Sequence, residues 1–244
     1  MSARLEELAW ASTPMGEISL RRRVEPTLGV DVFEVKLGDE FLMSSLFTAS
    51  EVALARLGLA ALAEGGGPAA GWDVLVGGMG LGFTARTVLE DDRVASLTVV
   101  DALAEVLAWH VDGVLPGGRE LVEDPRTRLL HADFFALARD EAGMDPDAPG
   151  RLFDAALVDI DHTPEHLLHA SHGDLYSAAG LRRASRSIRP GGVFGLWSDD
   201  PPEPRFEAVL DEVFVDRASH VVDFANHLTG GRSACTVYLG HVPA

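Results

Sequence analysis

The stretch Asp73-Val74-Leu75-Val76-Gly77-Gly78-Met79-Gly80-Leu81-Gly82 decides the fold. An apolar run enters three alternate glycines, Gly78, Gly80 and Gly82, and the residues from Phe83 to Glu90 have helical character. This is the composition of a buried strand that turns sharply into a helix. Glycine permits the tight turn and lets backbone N–H groups approach a ligand at the positive helix end. A second apolar run, Ala95 to Val100, ends in Asp101. An acidic side chain about 20 residues beyond the glycines, at the end of the second strand, is placed to accept hydrogen bonds from ribose hydroxyls. A glycine loop alone reads equally well as a structural turn; with Asp101 in register it points to a bound nucleoside.

From residue 72 onward strands and helices alternate, which predicts a mostly parallel sheet covered on both faces. The further strands are Thr127 to His131, Phe153 to Asp159 and Gly192 to Trp197, the last preceded by a helix stop and turn at Arg189-Pro190-Gly191-Gly192. Ser219 to Asp223 and Ala234 to Leu239 read as a final antiparallel pair. Upstream, Glu17 to Arg21 and Val30 to Val35 alternate apolar and polar side chains, the period-two mark of a half-buried sheet. Leu37 to Glu40 turns back into Phe41-Leu42-Met43, which completes a small antiparallel β-domain. Thr48 to Ala63 is Ala/Leu-rich with helical spacing, with Thr48 or Ser50 at its cap, and Glu64 to Pro68 is a linker. The expected organisation is a β-domain over 1–47, a helix and linker over 48–68, and a nucleoside-binding α/β domain over 69–244.

A chain of 244 residues can bury one sizeable α/β core with a small accessory domain. The net charge of −18 argues against nucleic acid, whose phosphates it would repel. No apolar run reaches the about 20 residues of a membrane span, and the start lacks a basic-then-apolar signal pattern. No membrane partner is expected, and a cytoplasmic location is. The single Cys235 excludes an intrachain disulfide and a cysteine-rich metal site; it reads as a buried strand residue.

Ligands of open α/β sheets bind at the carboxyl ends of the strands, so the chemistry is sought there. Asp133 follows the third strand, where a carboxylate can accept from an adenine amino group or cap the next helix. Asp159-Ile160-Asp161-His162-Thr163-Pro164 closes the fourth. Two carboxylates and an imidazole there suit orientation of a cationic substrate and removal of a proton from an attacking amine, or form a polar turn capped by Asp161 or Thr163. Ser198-Asp199-Asp200 follows the fifth strand and adds negative charge to the same edge, or is a solvated loop. His162, His166, His169 and His172 recur at helical intervals, but Pro164 and Gly173 bracket a short segment there and no CxxC or HExxH framework accompanies them. No metal is expected.

Together these residues resemble the spermidine synthase (polyamine aminopropyltransferase) family, a branch of the class I S-adenosylmethionine-dependent transferase fold. Gly78-Met79-Gly80-Leu81-Gly82 resembles its nucleoside loop and Val100-Asp101 its ribose-binding position. Asp124-Pro125-Arg126 and His131-Ala132-Asp133 resemble its DPR and GDG segments, and Pro190-Gly191-Gly192 its PGG turn. The resemblance implies a small N-terminal antiparallel β-domain before a Rossmann-like sheet, mostly parallel with an antiparallel C-terminal strand, and a homodimer. Gly78, Gly80, Gly82, Asp101 and Asp133 are then the donor-binding residues. Asp159, Asp161 and His162 are the catalytic candidates, and Glu51, Asp199 and Asp200 the substrate-binding ones. The family's GGGDGG loop has an Asp where this chain has Leu81. In its DSSDP motif the proposed base falls on His162, with Asp161 one residue early. Of the family's donor and amine contacts near the end of the β-domain, Glu51 remains. The implied activity is aminopropyl transfer from decarboxylated S-adenosylmethionine to an amine or other small acceptor. Methyl transfer from S-adenosylmethionine is the alternative, and a non-catalytic nucleoside-binding homologue the second class.

Overall fold

The computed structural model describes residues 5–244; the first four residues of the expected β-domain lie outside the described residues. Four strands come first: β1 (Glu6–Thr13), β2 (Gly16–Glu25), β3 (Val30–Leu37) and β4 (Glu40–Ser44). They pair antiparallel in chain order. Their alternation turns Ile18, Leu20 and Val35 inward, where they join the same core as the helix that follows.

That helix, α1 (Ala49–Glu64), lies on the large sheet. Leu54, Ala55, Leu59 and Leu62 pack with Leu157, Val193 and Val237. The approach is close because two glycines face Leu157. A Cβ on Gly58 would lie 2.7 Å, and one on Gly195 2.8 Å, from a Leu157 methyl carbon.

The large sheet contains β5 (Trp72–Gly77), β6 (Val94–Asp101), β7 (Thr127–His131), β8 (Phe153–Val158), β9 (Ile188–Ser198), β10 (Val215–Asn226) and β11 (Gly231–His241). Its order is β10-β11-β9-β8-β5-β6-β7. The five strands from β9 to β7 are parallel, and β11 runs antiparallel to both β9 and β10. The helices are α2 (Phe83–Leu89), α3 (Ala104–Val111), α4 (Gly118–Glu123), α5 (Phe134–Arg139), α6 (Ala178–Ser185) and α7 (Pro204–Asp211). The chain builds β5, β6 and β7 outward on one side, then returns to lay β8 and β9 on the other. The reversal opens a crevice at the carboxyl ends of β5 and β8, and the candidate site lies there.

Two motifs have structural work. The turn read at Arg189 to Gly192 is already inside β9, as a register slip opposite Phe153 and Ala155. Gly191 has φ 76°, its N–H donates to the Val242 carbonyl, and the Val242 N–H donates to that of Gly192, so pairing with the chain's end absorbs the turn. In the Asp124-Pro125-Arg126 segment, Arg126 grips Asp124 through two nitrogens at 3.0 and 2.9 Å and also donates to the Leu89 carbonyl at 2.9 Å. The motif ties the entry of β7 to the end of α2.

The opposite edge of the sheet carries an ion network. Asp145, 1% exposed, accepts from Arg128 and, at 3.1 Å, from Arg151, which also meets Asp73 at 3.3 Å. Burial alone would raise the Asp145 carboxyl, but the donated hydrogen bonds of Arg128 and Arg151 outweigh it and hold it below the usual carboxylate range. A depressed folded pKa stabilises the fold above the unfolded value, and that stability is lost as pH falls through the folded value. Asp145→Ala is therefore expected to cost about 2 kcal/mol at neutral pH and to lower the thermal midpoint by about 4–8 °C. The gap to the parent should close in acid; a gap unchanged by pH would rule this account out.

Candidate active site at the carboxyl edge of the parallel sheet

The glycine loop joins β5 to α2 and is shaped by what crosses it. Gly78, Gly80 and Gly82 all have positive φ, at 94°, 46° and 82°. A Cβ on Gly78 would fall 2.1 Å from the Asp159 carbonyl oxygen, so no larger residue fits between the ends of β5 and β8. Asp101, at the end of β6, accepts from the N–H of Met79 at 2.9 Å and of Leu103 at 2.8 Å. Its carboxylate braces the loop while facing the crevice. Burial raises its pKa, and the backbone N–H groups of Leu103, Met79 and Gly80 act against that rise.

A cavity of about 350 Å³ lies over this loop. Gly78, Gly80, Asp101 and Asp133 line it, with Phe134 and Phe135 as apolar wall. Asp133 caps α5: its Oδ1 accepts from the N–H of Phe135 at 2.8 Å and of Ala136 at 3.1 Å. Both bonds go to one oxygen, so capping and ligand recognition are compatible on the same carboxylate. The N-terminal sheet closes the cavity with Leu37, Leu42 and Met43, and Met43 reaches Gly80 so closely that a Cβ there would be 2.8 Å from its Sδ.

A second cavity, also about 350 Å³, shares Leu42, Met43, Gly80, Asp159 and Ile160 with the first. Three carboxylates line it: Glu51 from α1, Asp159 from the end of β8 and Asp199 from beyond β9. Asp159 accepts from the Thr84 hydroxyl at 2.8 Å, and Glu51 from the Ser50 hydroxyl at 2.8 Å. Cys235 donates its thiol to Asp199 at 3.3 Å; burial first, and that carboxylate second, push the thiol up to about 12, which disfavours the thiolate. Burial, then the neighbouring Asp159, pushes Glu51 up to about 7. Burial pushes Asp159 up to about 6, against the Thr84 hydrogen bond. Both carboxylates of this cavity are thus raised toward neutrality, chiefly by burial.

The residues after β8 separate. His162 lines the second cavity, and its carbonyl accepts from the Asp199 N–H at 2.8 Å, which ties the two strand-end loops together. Asp161, expected among the acid/base candidates, lines neither cavity. It is 2% exposed and accepts from His172 Nδ1, the Tyr176 hydroxyl and the Leu168 N–H, each at 2.8 Å. The polar turn has taken it inward, where its charge organises the 162–176 segment. Asp161→Asn is expected to cost about 2 kcal/mol in denaturant unfolding, because buried donors lose a charged acceptor. Turnover per folded molecule should stay near the parent's, and a large loss of turnover with stability intact would return Asp161 to the chemistry. Asp200, expected to bind substrate, is exposed and also lines neither cavity; only its backbone is engaged, through the Thr236 hydroxyl on its carbonyl.

The histidine series does not share a helix face. His162 and His166 stand 4.9 Å apart, His169 binds Ser171, and His172 stacks on Phe135 at 3.7 Å. Among the described residues no group of three or more His, Cys, Asp or Glu side chains is arranged to hold a metal.

The sequence reading missed His110 and Thr84. His110, fully buried on α3, meets the Gly80 carbonyl through Nε2 at 2.9 Å and packs against Gly82 from below. Burial lowers its pKa, so the neutral ring donates from Nε2. Nothing local marks it, because its role depends on α3 lying under the loop.

A small antiparallel sheet leading into a Rossmann-like sheet, with a glycine loop after its first strand, a carboxylate at the end of the second and an antiparallel C-terminal pair, is the fold of the spermidine synthases. The chain aligns with a spermidine synthase in complex with the transition-state analogue AdoDATO at 16% identity and TM-score 0.70, covering 96% of this chain and 73% of that one. It aligns with the Thermotoga maritima spermidine synthase at 15% identity and TM-score 0.69, over 96% and 72% of the two chains. A probable spermidine synthase from Corynebacterium glutamicum ATCC 13032 gives 15% and 0.64, over 96% and 79%. No family model matches the sequence, and no curated protein does. What is shared is the fold. Among the described residues no helix is long and apolar enough to cross a membrane.

Proposed function

We propose that the protein is a spermidine synthase-like transferase that moves a group, foremost an aminopropyl group, from an S-adenosylmethionine-type nucleoside to an amine. The observation that carries this reading is the pair of cavities meeting at Gly80 and Asp159. One is lined by Asp101 and Asp133 beside apolar walls, and the other by three carboxylates. The residues fit such a donor: only glycine passes at 78, Asp101 faces the ribose position, and the Phe134–Phe135 wall is suited to an adenine ring.

The donor supplies a sulfonium leaving group. The protein's residues do the rest. Glu51 and Asp199 draw a cationic amine into the second cavity, and Asp159, on the wall common to both cavities, orients it toward the first. The Glu51–Asp159 pair accepts the proton that nitrogen gives up as it forms its new bond to carbon, while the carbon–sulfur electron pair stays on sulfur. His162 is the second candidate acceptor of that proton. Leu81 offers no carboxylate for a donor ammonium, and this favours the second reading, methyl transfer from ordinary S-adenosylmethionine. A non-catalytic nucleoside-binding role is the third. A homodimer in the cytoplasm belongs to the same proposal.

Calorimetry of the purified protein with decarboxylated S-adenosylmethionine, S-adenosylmethionine and methylthioadenosine separates these readings. The expected result is tightest binding of the decarboxylated donor. Preference for the carboxylated donor would favour methyl transfer, and binding of none would leave the loop structural.

A further inference from the structure

Asp161 takes three donors at 2.8 Å, the Leu168 N–H, the Tyr176 hydroxyl and His172 Nδ1. A carboxylate only accepts, so Nδ1 carries the ring hydrogen, and the neutral ring keeps its lone pair on Nε2. Asp161 lies outside both cavities, but His172 lines the first and is 6% exposed. One face of its ring is covered by Phe135, with centroids 3.7 Å apart and 10° between the planes. Among the described residues Nε2 has no hydrogen-bond partner, yet it is not one of the unpartnered polar atoms sealed in the interior. It opens on the first cavity. Asp133 stands on the same side. Its Oδ1 accepts from the N–H of Phe135, the residue whose ring carries His172, and its other oxygen accepts no hydrogen bond among the described residues.

From this arrangement we infer that His172 is a base-reading residue of the first cavity: Nε2 accepts from the exocyclic amino group of an adenine, and Asp161 is the positioning residue that holds the tautomer. The inference rests on the first cavity being the nucleoside site of the proposed transferase. A ligand that covers Nε2 displaces the water it would otherwise meet, and must return a donor or leave a lone pair unpaired. The amino group of adenine has two N–H donors, and Asp133 and His172 offer it two acceptors. Hypoxanthine has a carbonyl oxygen at that position, so lone pairs would face lone pairs. Turning the imidazole over to offer a donor instead would break its hydrogen bond to Asp161.

The test is calorimetry of the full chain with methylthioadenosine and with methylthioinosine, in which oxygen replaces the amino group. The parent is expected to bind methylthioadenosine about 100-fold tighter, about tenfold from each acceptor. His172→Asn removes Nε2 but keeps an amide N–H in reach of Asp161. It should lower the preference to about tenfold, with a melting curve verifying the fold. In the parent, the NMR signal of His172 Nε2 should move on addition of methylthioadenosine, a response that carries the test where the variant does not fold. A folded His172→Asn variant with the parent's preference, or an Nε2 signal that methylthioadenosine leaves in place, overturns the inference. A parent that binds both nucleosides equally overturns it as well, with the nucleoside reading intact. A parent that binds neither overturns the nucleoside reading, and the inference falls with it.

Discussion

Asp159→Asn is expected to lower turnover about a thousandfold with nucleoside affinity retained. Asn keeps the volume and can still accept from the Thr84 hydroxyl, which Asp159 does at 2.8 Å, so the loop after β8 should hold its shape. What is lost is the charge shared with Glu51 on the wall between the two cavities. Burial raises both groups, Asp159 to about 6 and Glu51 to about 7, which sets a pH dependence for the parent. A base works only when ionised, so turnover should be low in acid, climb as the pair titrates between those values, and level off above them. The same raised values mean that the empty pair costs native stability as pH rises through that window, and a bound ammonium would offset the cost. Steady-state kinetics across pH is the measurement. A flat profile, or an Asp159→Asn variant with parental turnover, would move the chemistry to His162.

Asp101→Ala is expected to weaken nucleoside binding about 100-fold, read by calorimetry with methylthioadenosine. Two losses combine. The ribose loses its acceptor, and the Met79 and Leu103 N–H groups lose the carboxylate that holds the glycine loop against the end of β6. The loop would then have to be ordered at the moment of binding. Asp101→Asn separates the parts, since its amide oxygen can still accept from one N–H while the charge is gone; an intermediate loss is expected. Unchanged affinity in Asp101→Ala would end the nucleoside assignment.

The sequence was most informative where a residue's role is fixed by its neighbours in the chain. Gly78 must be glycine because strand ends cross at van der Waals distance there, and a strand running into alternate glycines announces such a crossing. Asp101 and Asp133 were legible for a related reason: each ends a parallel strand, and that end of an open sheet is where ligands lie. The N-terminal sheet was legible from period-two alternation at Glu17 to Arg21 and Val30 to Val35. The motif at Arg189 to Gly192 was visible but misread, because only pairing with Val242 shows that the chain bulges within a strand and does not turn before one.

Asp161 shows where local reading stops. By spacing it stood beside Asp159 and His162 as an equal candidate, yet the three side chains go to different places. His172 and Tyr176 offered hydrogen bonds that drew Asp161 under the surface, while Asp159 stayed on the cavity wall. Glu51 could be suggested by resemblance, but its pairing with Asp159 arises only when α1 is laid across β8 and β9. His110 had no sequence signal at all. The sequence by itself determined the order of elements, the glycine loop and the carboxylates at the strand ends, because backbone sterics and hydrophobic periodicity act over a few residues. Tertiary structure alone decided which carboxylates face the crevice and which of them are raised toward neutrality, because burial and Coulomb interaction depend on distance in space and not on distance along the chain.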